Sequence, residues 1–85
     1  IGGMEDSDDR NLVKIFPNPC RNYVTIEASA LYQISIYTPD GRLMLTHKMR
    51  NPTETLDLTG FYTGIYIVHF SGAGIRFVKK LAVGI

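Results

Sequence analysis

From Tyr23 onward, apolar and polar residues alternate with a period of two in one short segment after another. That period constrains the fold more than any other feature, because successive side chains of a strand point to opposite faces of a sheet. In segment 22–27, Val24 and Ile26 fall on one face and Tyr23, Thr25 and Glu27 on the other. Segment 33–38 sends Ile34 and Ile36 inward, segment 42–48 sends Leu43 and Leu45, and segment 54–58 sends Leu56 and Leu58. Residues 12–16 read as a short first strand. Residues 64–70 are apolar on both faces, which suits a central strand, and residues 75–83 form the last one. No window offers a convincing helical face. About seven short strands parted by turn residues predict an all-β chain folded as an antiparallel β-sandwich.

The turns have mechanisms. At 38–41, Pro39 sets φ for a turn, Asp40 can bond its own backbone, and Gly41 takes the left-handed position. Residues 71–74 contain two glycines and join the last two strands as a hairpin. Pro52 ends the fourth strand, since it cannot donate to a ladder. Pro17 and Pro19 stand one residue apart and lack amide hydrogens, so neither sits inside a paired strand. They predict a stiff, extended corner between the first two strands, with Phe16 anchored in the core and Asn18 capping a free backbone group.

At 85 residues the chain holds one domain. Glu5, Asp6, Asp8 and Asp9 put half of its eight acids into a five-residue run, so residues 1–11 read as an acidic linker or mobile tail and 12–85 as the folded unit. Residues 11–85 then carry four acids against eight bases, a surplus too small and scattered to point to nucleic acid. The first residues lack the basic and apolar regions of a signal peptide. A chain starting at Ile1 reads as a piece of a longer protein with targeting signals upstream.

Residues for chemistry are sparse. His47 and His69 share no ligand-like spacing, and the acidic run lacks the oxygen pattern of a calcium loop. No nucleophile elbow or phosphate loop occurs. The lone Cys20 permits no internal disulfide and reads as a turn or core residue. No catalytic residue, metal or cofactor is expected. Tyr23, Tyr37 and Tyr62 are the candidates for an exposed sugar-stacking surface, which keeps open an accessory domain that binds carbohydrate or acts as a spacer. Tyr66, just after Gly64, is placed to tie a sandwich corner with its hydroxyl.

Four stretches together resemble a known family. They are the Pro17-Asn18-Pro19 turn entering an alternating strand, the 34–44 strand with its Gly41 turn and following Arg42, the 56–68 stretch with Gly64 and Tyr66, and the closing Val78-Lys79-Lys80-Leu81-Ala82-Val83. Their order and spacing are similar to the C-terminal sorting domain of the type IX secretion system of Bacteroidetes, over about residues 13–83. The resemblance implies an immunoglobulin-like β-sandwich that serves as a secretion signal rather than an enzyme. It implies a cargo domain covalently ahead of it, passage through the periplasm, and an outer-membrane translocation machine as partner. The end point is the cell surface, the outer membrane or the medium. It also implies a sortase-like surface protease, for which the linker around Gly2 and Gly3 is the expected cleavage region. Cys20 departs from the family, which more often has a small or aliphatic residue there.

In the last strand, Ile75, Phe77, Leu81 and Val83 share an apolar face that Lys79 interrupts. Either the strand bulges there or Lys79 snorkels from an edge. A terminal edge strand can add to a partner sheet. Lys79, Lys80, Leu81 and Val83 are therefore the partner-recognition candidates, with the lysine pair selecting an acidic groove. A homodimer by strand exchange is also open to so small a sandwich.

Overall fold

The computed structural model describes residues 12–84 as seven strands in chain order. They are β1 (Val13–Phe16), β2 (Tyr23–Ala28), β3 (Gln33–Tyr37), β4 (Leu43–Lys48), β5 (Thr53–Asp57), β6 (Gly64–Gly72) and β7 (Ile75–Val83). One sheet has the order β1-β2-β5, the other β4-β3-β6-β7, and every strand pair within them is antiparallel. The all-β sandwich read from the alternation is therefore the fold. The acidic run and Gly2 and Gly3 lie outside the described residues.

The core is the inner face of each sheet. Val24 and Ile26 of β2, Ile34 and Ile36 of β3, and Leu56 of β5 and Leu58 just beyond it are all buried, as the period predicts. Each contributes roughly 1.5–3 kcal/mol by leaving water. Between the sheets Tyr32 meets Phe70 and Phe77 edge-on at centroid distances of 6.0 and 5.4 Å, while Phe70 and Phe77 stack at 4.9 Å. Such pairs add about 0.5–1.5 kcal/mol each beyond their burial. The Tyr66 hydroxyl donates to the Tyr62 carbonyl at 2.7 Å, so the corner is tied as its position after Gly64 suggested. At the β3–β4 hairpin the Gly41 amide donates to Thr38 with φ at +98°, the conformation that favours glycine there.

Two sequence expectations are corrected. Phe16 is 44% exposed instead of anchored in the core. It faces Thr25 across the β1–β2 pair, whereas Val13 and Ile15 take the inner face, so period two turns Phe16 outward. Leu43 is 51% exposed, for a different reason. Ile36 faces Leu45 but Tyr37 faces Leu43, so Met44 is an extra residue on β4, and the slip moves Leu43 to the outer face. At 38–41 the Asp40 carboxylate accepts from the Thr38 hydroxyl and also bonds backbone, its own included, as the sequence suggested. Likewise, β6 is the central strand its apolar faces predict, paired with β3 on one side and β7 on the other.

At the edge formed by β4 and β5, a side-chain clasp joins the two sheets. His47 Nε2 of β4 meets Glu54 Oε1 of β5, and Glu54 Oε2 accepts from the amides of Arg50 and Asn51 at 2.9 and 3.0 Å. Glu54 thus closes the loop between the strands as well as bridging the sheets. The His47 contact first, then the amides, hold its carboxyl down from the usual 4.5 to about 2. A depressed carboxylate stabilises the fold above its unfolded-state pKa, and that contribution is lost as the carboxylate protonates. Thermal unfolding followed against pH should therefore show stability lost as pH falls from 4.5 toward 2. Glu54→Gln should lower the melting temperature at neutral pH and flatten that acid limb.

Candidate functional site

The partner-recognition candidates converge on β7, so the site is built from that strand and what lies along it. β7 pairs with β6 without a register break from Gly64↔Val83 to Gly72↔Ile75. No bulge occurs at Lys79, which leaves the second of the two sequence alternatives. Lys79 faces Val68, on the inner side of an edge strand, half-buried. Its stem lies along the core margin at an open side of the sandwich, where a long cationic side chain can keep its head in water. Lys80 points to the outer face and is exposed, while Leu81 and Val83 are buried at 1% and 2%.

The Phe16–Cys20 corner determines how much of the β7 edge is open. β1 adds to the three-stranded sheet, yet two residues past it the chain lies along the four-stranded one. Pro17 and Pro19 make this crossing, and the peptide bonds preceding both are cis. Neither proline can donate to a strand, so the side-chain amide of Asn18 does the pairing. The Ala82 amide donates to Asn18 Oδ1 at 3.0 Å, and Asn18 Nδ2 donates to the Lys80 carbonyl at 3.3 Å. Cys20 continues the pairing with its backbone: its amide donates to Ala82 at 2.9 Å and its carbonyl accepts from Gly84 at 2.6 Å. That is a short parallel bridge, Cys20↔Val83, on the outer edge of β7.

The bonds of Lys80 and Ala82 place the backbone groups of the even residues on the outer side of β7. The period of two extends this to Val78 and Arg76. Among the described residues, nothing pairs with the outward groups of those two. The edge is thus closed from the Lys80 carbonyl onward and open before it. Beside the open part, Val13, Lys14, Ile15, Asn18, Val78, Lys79 and Lys80 line a groove of 510 Å³ between β1 and β7. Val13 and Ile15 supply an apolar floor, and three lysines give the groove a positive rim.

The remaining candidate residues are dispersed. Gly41 and Gly64 serve the β3–β4 turn and the start of β6. Cys20 is 1% exposed, and burial pushes its thiol pKa up, which keeps it a protonated core residue. His47 is engaged with Glu54, and His69 stands against Tyr37, 4.7 Å between ring centroids, on the outer face. No group of three or more His, Cys, Asp or Glu among the described residues is placed to hold a metal. Tyr23 lies on the outer face of β2, Tyr37 on the opposite outer face and Tyr62 in the β5–β6 loop, so they form no common stacking platform.

Among known families, the model of a secretion system C-terminal sorting domain matches residues 14–84. No curated protein matches the chain.

The corner is open to direct test. Asn18→Ala removes two hydrogen bonds to β7 and should lower stability by about 1–3 kcal/mol, taking roughly 0.5–1.5 for each bond. Asn18→Asp keeps the acceptor for Ala82 and loses the donor to Lys80, so it should fall between. Urea unfolding gives the stability, and amide exchange at Ala82 should accelerate in the alanine variant.

Proposed function

The chain belongs to the secretion system C-terminal sorting domain family, and from that premise we propose how the domain is read. Members of this family are sorting signals for type IX secretion. The domain therefore directs a protein attached ahead of it to the cell surface or out of the cell, through the type IX machinery. A sorting-signal family is not a catalytic one. The reading as a carbohydrate-binding or spacer domain is not favoured, and the dispersal of Tyr23, Tyr37 and Tyr62 gives it no surface.

In our reading the machinery meets the domain in the periplasm, at the open edge of β7. The observation that carries this is the juxtaposition of backbone at Arg76 and Val78 that has no partner among the described residues with the groove rimmed by Lys14, Lys79 and Lys80. Backbone pairing would supply affinity without sequence demands, and the lysines would select an acidic partner. Leu81 and Val83 belong to the same proposal as buried residues that hold the strand in place, with Lys79 and Lys80 making the contact. A sortase-like surface protease acting near Gly2 and Gly3 is the release step we assign to the linker. Strand exchange into a homodimer would use one of the edge strands, β7 first among them.

Deleting residues 79–85 would strip Leu81 and Val83 from the core, so charge reversal is the cleaner test. Lys80→Glu, alone and with Lys79→Gln, should leave the far-UV circular dichroism spectrum unchanged. Export of a fused fluorescent cargo should fall by about tenfold or more, since like charges across an interface are strongly unfavourable. Undiminished export of the folded double variant would rule out this surface.

A further inference from the structure

The charges of the strands are sorted by sheet. β1, β2 and β5 hold Glu27, Glu54 and Asp57 against Lys14, whereas β3, β4, β6 and β7 hold no acid. On the outer face of the four-stranded sheet stand Lys48, Arg76 and Lys80, all exposed. Among the described residues no carboxylate pairs with any of the three. Lys48 and Arg76 fall in one cross-strand row through Gln33 and Ser71, so they stand three strand spacings, or roughly 14 Å, apart. Lys80 lies four residues along β7 from Arg76, roughly 13 Å away. Between and beside these cations the face is apolar. Leu43, Tyr37 and Ile67 form the row that ends at Lys80, with Ile65 and Val78 next to it. Leu43, Ile65 and Val78 are all exposed.

We propose that this outer face docks on an anionic phospholipid surface. Its three cations stand too far apart to share one phosphate, and they match an array of phosphates spread in a plane. A peptide would seat in a groove, whereas this face is a sheet surface four strands wide. Tyr37 and Leu43 supply the aromatic and aliphatic contact that settles at the level of lipid headgroups. The opposite broad face of the sandwich disfavours the same surface, because Glu27 and Asp57 lie on it with Lys14. The field of the strands therefore orients the domain, with the four-stranded sheet toward the lipid and the three-stranded sheet away from it.

Docked this way, the domain lies flat and the outer edge of β7 runs along the lipid surface. Backbone groups of an edge strand point sideways in the plane of the sheet, so lipid against the face leaves that edge free to pair. A machine embedded in the same membrane would then meet β7 by diffusion in two dimensions. That consequence rests on the reading of β7 as the recognised edge, whereas the lipid contact itself does not.

The test uses the whole 85-residue chain and vesicles of phosphatidylglycerol and phosphatidylcholine in equal parts, with binding read by co-sedimentation. A cation beside an anionic surface contributes about fivefold (about 1 kcal/mol), so these vesicles should bind about a hundredfold more tightly than phosphatidylcholine alone. Lys48→Gln should weaken binding about fivefold. Thr53→Glu makes the same change of charge on the outer face of the other sheet and should weaken it less than about twofold. Leu43→Ser, at an exposed position, should weaken binding several-fold with the fold intact. No binding to the mixed vesicles would overturn the proposal, and so would equal losses for Lys48→Gln and Thr53→Glu. Soluble polyglutamate bound as tightly as the vesicles, with no effect of Leu43→Ser, would assign the face to an acidic protein and overturn it as well. Lys48 and Leu43 lie on β4, away from the edge of β7, and export of Lys80→Glu is a separate readout, so the two ideas fail independently.

Discussion

The pairing of the Asn18 side chain with β7 is the contact on which the rest of this sandwich depends. It joins positions 64 and 62 residues apart and lies at the point where the chain leaves one sheet for the other. A strand that only added to β2 would leave β7 open along its whole length. A strand that only added to β7 would leave β2 exposed. The two prolines end the first pairing, and the single residue between them begins the second with its side chain. Cys20 then extends it with two backbone bonds, so four hydrogen bonds close the terminal half of β7.

The proposed recognition uses the half of β7 that the corner leaves uncovered. Leu81 and Val83 bury their side chains while their stretch of the strand is held by the corner, so the end of β7 is core. Arg76 to Lys79 lack that cover from Asn18 and Cys20, and it is there that Lys79 leaves the core margin beside Lys14 and Lys80. One strand thus combines a rigid anchor with a reactive edge. A sorting signal needs both: a fold that survives beside an arbitrary cargo, and a surface that does not vary with that cargo. The His47–Glu54 clasp holds the other side of the sandwich shut.

Much of this was legible in the sequence, for reasons that can be named. All seven strands were read from the sequence, and the period of two gave the inward faces of β2, β3 and β5, because each of those strands keeps strict alternation. It failed at Leu43, where an extra residue on β4 inverts the phase and leaves no mark in the pattern itself. It held at Phe16, where the phase of Val13 and Ile15 turns the ring outward against the expected anchor in the core. The family resemblance rested on motifs, and the match over residues 14–84 bears it out. The reach of Asn18 was only half visible: a residue between two prolines must bond through its side chain, but nothing local identifies β7 as its partner. The aromatic cluster around Tyr32 was not visible at all, since Tyr32 lies in a connection and acquires its neighbours only when β6 and β7 fold over it.

The most direct measurement is a transplant. Residues 1–85 are fused behind a signal peptide and a fluorescent cargo, in a bacterium with a type IX system and in a matched strain that lacks it. Cargo on the surface or in the medium of the first strain alone is the predicted result. Cargo retained in the periplasm of both strains would contradict the account.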